Sequence, residues 1–144
     1  MPVDGPQHAK RIDKPWGYQL LFAATLSYAG GVDVIHAGRS LSLQYHQCRD
    51  ETLFLHRGRL LVELEDATGK MHRFELVPDQ SIHFVPPRKH RVTALEDSIV
   101  FEVSTPQLDD VVRVEDLYGR AGEPAGNPVG AQDTDSPHVS NREK

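Results

Sequence analysis

The run G-R-S-L-S-L-Q-Y-H-Q-C-R-D-E-T-L-F-L-H-R-G, from Gly38 to Gly58, alternates with period two in its first half. In a strand of that register Leu41, Leu43 and Tyr45 share one face, and Ser42, Gln44 and His46 share the other. Two side chains with metal-binding atoms therefore point the same way from one strand. Glu51 follows five residues after His46, and glycines bracket the whole run. The pattern predicts one wall of a small β-barrel with a polar site inside.

Outward from this run, short apolar segments alternate with turn signals. Tyr18–Ala24 and Val32–Ala37 precede it as strands, with Gly30-Gly31 as a turn before the second. Thr52–His56 and Leu60–Glu65 flank Arg57-Gly58-Arg59, which predicts a hairpin. Met71–Val77, Ser81–Val85, His90–Leu95 and Ile99–Ser104 complete the set, and no amphipathic helix precedes residue 106. Many short strands with turns between them predict an all-β antiparallel sandwich or barrel. Residues 108–120 read equally as a last strand or a short helix. Residues 1–13 read as a polar N-terminal arm, 14–120 as one domain and 121–144 as a disordered C-terminal tail. That tail has too few bulky apolar residues to offset its ordering entropy.

A chain of 144 residues is long enough to bury a core without staples. The net charge of −5 and the pI near 5.9 argue against nucleic acid or an anionic membrane surface as partner. One cysteine, Cys48, excludes an internal disulfide framework, and the polar start M-P-V-D-G-P-Q-H lacks a signal-peptide core. No run approaches the roughly 18 apolar residues of a membrane span. These features predict a cytoplasmic protein.

The spacing G-x5-Q-x-H-x4-E-x6-G over Gly38–Gly58 resembles the first motif of the cupins, with Gln44 where a histidine is usual. The second cupin motif lies on Asp79–Ala94 in degenerate form and keeps His90 at its ligand position. Within the cupins the chain is most similar to the C-terminal domain of type II mannose-6-phosphate isomerases and their small stand-alone relatives. Four stretches carry that resemblance: Lys14–Gly17, Leu41–His46, Pro86-Pro87 with Lys89–Arg91, and Asp109–Arg113 through Tyr118–Arg120. In that group a glutamine at the Gln44 position looks like the norm. The resemblance implies a single-domain jelly-roll barrel (a double-stranded β-helix), and the metal ligands Gln44, His46, Glu51 and His90.

The residue chemistry agrees. Two imidazole nitrogens, one carboxylate oxygen and one amide oxygen suit a single divalent transition ion such as Zn, Mn, Fe, Co or Ni. Four protein ligands leave a position for a water or a substrate oxygen, which a Lewis-acid role requires. Cys48 falls in a polar turn and reads as a bystander. His83 alternates with Val85, and either faces the cavity as a proton-transfer group or faces solvent. Among the basic residues, Arg120 with Tyr118 is the first expectation for substrate binding, because the resemblance carries that triplet. Arg88 and Lys89, beside His90, come second.

The function implied by the resemblance is a metal-dependent isomerase or epimerase of a sugar or sugar phosphate, with His83 or Glu51 moving the proton. The other readings are a metal-dependent dioxygenase or lyase of a small oxygenated metabolite, and a non-catalytic sugar-binding cupin. The resemblance also implies a homodimer.

Overall fold

A computed structural model of the chain describes residues 2–121. The expected tail, apart from Ala121, lies outside the described residues. Among them there is no helix, and eleven strands form two antiparallel sheets. These are β1 (Lys10–Lys14), β2 (Gly17–Ala24), β3 (Ala29–Ile35), β4 (Leu43–Tyr45), β5 (Glu51–Arg57) and β6 (Leu60–Glu65), followed by β7 (Met71–Leu76), β8 (Ser81–Phe84), β9 (His90–Ala94), β10 (Ser98–Ser104) and β11 (Val112–Glu115). The first sheet has the order β1-β2-β3-β10-β5-β8, and the second β11-β4-β9-β6-β7. This is one of the two all-β forms that the strand pattern predicts, a barrel, in the jelly-roll form that the resemblance implies.

Alternation decides what fills the barrel. On β5, Glu51, Leu53 and Leu55 are buried, while Thr52 and Phe54 are half-buried on the other face. On β6 the inward positions are Leu60 and Val62, and on β9 they are His90, Val92 and Ala94. The inner faces meet in one cluster that includes Trp16, Ile35, Leu55, Leu60, Phe84 and Val100. Each such aliphatic or aromatic side chain contributes about 1.5–3 kcal/mol when fully buried.

The cluster has a direction. Register sets Ile35 against Ser98 and Leu60 against Ala94 at one end, where Trp16 packs. At the other end the inward positions turn polar: Gln19, Asp33, Glu51, Glu102, His46 and His90. The barrel is thus plugged by hydrocarbon at one end and lined with ionisable groups at the other.

The structure corrects three sequence expectations and decides a fourth. Residues 10–13, read as an arm, form most of β1, and Ile12 is buried against β2. Residues 108–120, which read equally as strand or helix, contain a strand, β11, paired with β4. Gly30 and Gly31 lie inside β3, and the turn before it is made by Thr25–Tyr28. Gly30 is there because the Phe22 ring crosses it, so that a Cβ would come within 2.7 Å of that ring.

The third correction concerns Arg57-Gly58-Arg59. It is not a hairpin turn, because β5 belongs to the first sheet and β6 to the second. Gly58, at φ 97°, instead carries the chain from one wall of the barrel to the other.

Candidate metal centre

The site begins with strand β4, where Gln44 stands directly opposite His90 of β9. Cross-strand partners project from the same face, so the amide of Gln44 and the imidazole of His90 share the interior. His46 follows just beyond β4, and Glu51 opens β5 after a short loop. His46, Glu51 and His90 are buried, and one ligand atom from each lies within 4.8 Å of the others. Nε2 of His46 is 3.3 Å and Nε2 of His90 is 3.4 Å from the same oxygen, Glu51 Oε1.

The rings are held from behind. Nδ1 of His46 donates to the backbone carbonyl of Asp110 at 2.5 Å, which leaves the Nε2 lone pair facing Glu51. Nδ1 of His90 faces the Arg88 carbonyl at 3.4 Å, and the His90 ring stacks on Phe84 with centroids 4.0 Å apart. Nε2 of His90 is buried and makes no hydrogen bond with any described residue. Two imidazole lone pairs and a carboxylate oxygen turned on one point repel one another unless a cation lies among them. The donor set therefore fits a divalent transition ion, and backbone-anchored Nδ1 atoms are the usual support for such ligands. Gln44 stands beside the three; its Oε1 accepts from the Ser42 hydroxyl at 2.6 Å and keeps a second lone pair.

Arg49 completes the centre, and its role was not assigned from the sequence. Its guanidinium is buried; Nη2 lies 3.1 Å from Glu51 Oε2 and Nε donates to Ser104 Oγ at 3.1 Å. Burial would push the Glu51 carboxyl up, but the charge of the adjoining Arg49 guanidinium outweighs it and holds the group well below the usual carboxylate range. Glu51 is therefore an ionised ligand with one oxygen tied to Arg49 and the other turned to the imidazoles.

Asp110 organises the loop that carries these groups. Its carboxylate accepts the backbone N–H groups of Gln47, Cys48 and Arg49 at 2.7–3.0 Å, while its carbonyl holds His46. Asp110→Ala removes three charge-assisted anchors at once, and an outer-shell loss of this kind typically lowers metal affinity by about 10–100-fold. Titration of the purified variant with zinc against a fluorescent chelator measures it. Wild-type affinity in Asp110→Ala would show that the loop is positioned by other contacts.

The remaining expected site residues scatter. His83 lies on the outward face of β8, opposite Thr52, and its ring pairs with the exposed Asp50. The cavity-facing reading of His83 is thereby corrected; Phe84, its neighbour, is the inward residue. Arg120 is buried but turned onto Asp116, which it meets through Nε at 3.2 Å and Nη2 at 3.0 Å.

The Tyr118 hydroxyl accepts the Ser40 N–H, four residues along β4's line from Gln44, about 13 Å at strand rise. Tyr118 thus meets Ser40 and Arg120 meets Asp116, while Arg113 of β11 stands opposite Gln44, in register with the site. Arg88 and Lys89 lie half-buried in the turn before His90. Cys48 is exposed.

No family description matches this sequence, and no curated protein does. Solved structures do. The chain superposes on oxalate decarboxylase from Bacillus subtilis with a TM-score of 0.65 at 15% identity, over 74% of this chain and 30% of that one. That enzyme has Mn(II) centres. The capsular polysaccharide assembling protein CapF from Staphylococcus aureus matches with a TM-score of 0.63 at 12% identity, over 74% of this chain and 34% of that one. KdgF from Halomonas sp. matches with a TM-score of 0.56 at 24% identity, over 68% of this chain and 88% of that one. The chain thus spans about a third of the length of oxalate decarboxylase and of CapF. With its two antiparallel sheets and a polar end carrying two histidines and a glutamate, this chain has the cupin fold.

Proposed function

We propose that the chain is a metal-dependent isomerase or epimerase of a sugar or sugar phosphate, as its resemblance to type II mannose-6-phosphate isomerases implies. The observation that supports this reading is the buried His46–Glu51–His90 cluster, with imidazole lone pairs turned on one carboxylate oxygen. A divalent metal held by these residues, with Gln44 beside them, would supply the Lewis acidity that acidifies the C–H proton next to a sugar carbonyl. The protein's own part is positioning and charge. Arg49 keeps Glu51 ionised, and the hydrocarbon plug behind the site keeps bulk water from entering through that end. Arg88 and Lys89, half-buried in the turn that leads into His90, are the cations assigned to a phosphate carried on the far end of a sugar. Among the similar barrels, oxalate decarboxylase carries Mn(II) centres, and manganese is accordingly the first metal to load.

The test uses the full chain purified with manganese or zinc, its metal content, and conversion of mannose 6-phosphate to fructose 6-phosphate. Conversion is expected with the metal, is lost on chelation and returns on adding the metal back. A metal-loaded protein that instead consumes oxygen or cleaves a small oxygenated acid is a dioxygenase or lyase. Protein that carries no metal, and whose ligand binding is unchanged in His46→Ala, sinks both enzymatic readings.

A further inference from the structure

Two acids occupy inward positions on otherwise apolar strands, and the metal cluster uses neither. Asp33 lies between Gly31 and Ile35 on the inner face of β3, 3% exposed. Glu102 lies between Val100 and Ser104 on the inner face of β10, with Leu53 and Gly31 as its cross-strand neighbours. The side-chain amide of Gln19 on β2 donates to both, at 3.0 Å to Asp33 Oδ1 and 2.7 Å to Glu102 Oε1. One amide nitrogen thus lies within 3.0 Å of an oxygen of each carboxyl group, inside the barrel. Two carboxyl groups gathered that closely and out of water disfavour double ionisation, which a proton on one of them relieves.

On the other side, the same Arg49 nitrogen that meets Glu51 lies 3.6 Å from Glu102 Oε1. The charged and polar groups facing the pair are therefore Gln19 from β2, Arg49 from the β4–β5 loop, Glu51 from β5 and, more distantly, His46.

We propose that Asp33 and Glu102 share one proton and are the proton-transfer pair of this site, Glu102 exchanging protons with a bound substrate and Asp33 holding the reserve proton behind it. Burial and the neighbouring Glu102 charge push Asp33 well above the usual carboxylate range, against the donated N–H of Gln19. Burial also raises Glu102, opposed by the Arg49 charge. Glu102 has the larger residual exposure, 12% of its side chain, and it is the member of the pair beside the Arg49 nitrogen that meets Glu51.

The chemistry of the pair rests on the isomerase reading; its protonation does not. In an aldose–ketose conversion Glu102 takes the proton from C2, the C–H electron pair becomes the C=C bond, and the carbonyl pair moves onto O1. The shared proton neutralises O1. The C2 proton then returns to C1 while the hydroxyl proton of O2 replenishes the pair, so atoms and charge balance.

The test combines a catalytic and a substrate-free readout on the full chain loaded with manganese or, for spectroscopy, zinc. With mannose 6-phosphate, Glu102→Gln is expected to lower kcat by about 100-fold or more, the usual share of a general acid–base group, with KM and metal content little changed. Asp33→Asn, which keeps a donor to Glu102, lowers kcat less and shifts its pH profile. Carboxyl 13C spectra should show one protonated acid at neutral pH in the wild type, absent from Asp33→Asn.

Stability gives the sign. A raised folded pKa contributes stability below the unfolded value of about 3.9, and that contribution is lost as pH rises through the folded value. The wild type therefore loses stability relative to Asp33→Asn as pH rises.

Full activity in Glu102→Gln, or activity lost only together with the metal, overturns the pair's role. Ordinary titration of both carboxyls overturns the shared proton. Wild-type protein inert toward mannose 6-phosphate overturns the isomerase reading, while a protonated Asp33 in the same sample still supports the pair.

Discussion

Replacing His90 with alanine is expected to cut zinc or manganese affinity by well over 100-fold, beyond the about 10–100-fold that loss of an outer-shell partner costs. The expectation follows from the Nε2 atom, which is buried, makes no hydrogen bond with any described residue, and faces Glu51 Oε1 at 3.4 Å. The change also removes a ring stacked on Phe84, so folding is checked by circular dichroism on the same samples. His46→Ala should behave alike, whereas His83→Ala on the outward face of β8 should bind metal as the wild type does.

A thermal readout is independent of activity. Metal held only by the folded state stabilises it by about 2.7 kcal/mol at a hundredfold excess over Kd, and that shift should vanish in His90→Ala. A metal-induced shift of equal size in wild type and His90→Ala would mean that the ion sits elsewhere.

The contrast between His90 and His83 shows what a single sequence can convey. Alternation correctly groups Ser42, Gln44 and His46 on one face, because parity along one strand is a local property. His83 differs from Phe84 only by parity, and which of the two points inward is set by the register of β8 against β5, a long-range pairing. Arg49, Asp33, Glu102 and Gln19 escaped assignment for the same reason. Each comes from a different strand or loop, and only the sheet order β2-β3-β10-β5 brings them side by side.

A local signal for two of them did exist. Val32-Asp33-Val34 and Phe101-Glu102-Val103 each place one acid in an apolar strand, where an unpaired charge is costly. The Arg57-Gly58-Arg59 turn misled differently. A glycine between two strands signals a reversal, but not whether the second strand returns to the same sheet.

That glycine is also a position where the fold has no room for a side chain. Gly58 sits at φ 97°, and a Cβ there would lie 2.5 Å from the Asp97 carbonyl oxygen, 2.7 Å from Ser98 Cα and closer still to Ser98 Oγ. Gly58→Ala therefore combines left-handed backbone strain of about 1–2 kcal/mol with overpacking of about 1–3 kcal/mol. At roughly 4 °C per kcal/mol for a domain of this size, the melting temperature should fall by about 8–20 °C.

Gly38, the other bracketing glycine, is a matched control. It has φ 81°, but nothing lies within 4 Å of a built Cβ, so Gly38→Ala should cost only the backbone strain, about 1–2 kcal/mol. Adding Ser98→Gly to Gly58→Ala removes the hydroxyl contact but leaves the Asp97 carbonyl and the Cα, so rescue should be partial. Equal melting temperatures for Gly38→Ala and Gly58→Ala would show that φ alone selects both glycines. The expected gap between them says instead that Gly58 is required where the chain crosses between sheets against the Asp97–Ser98 backbone.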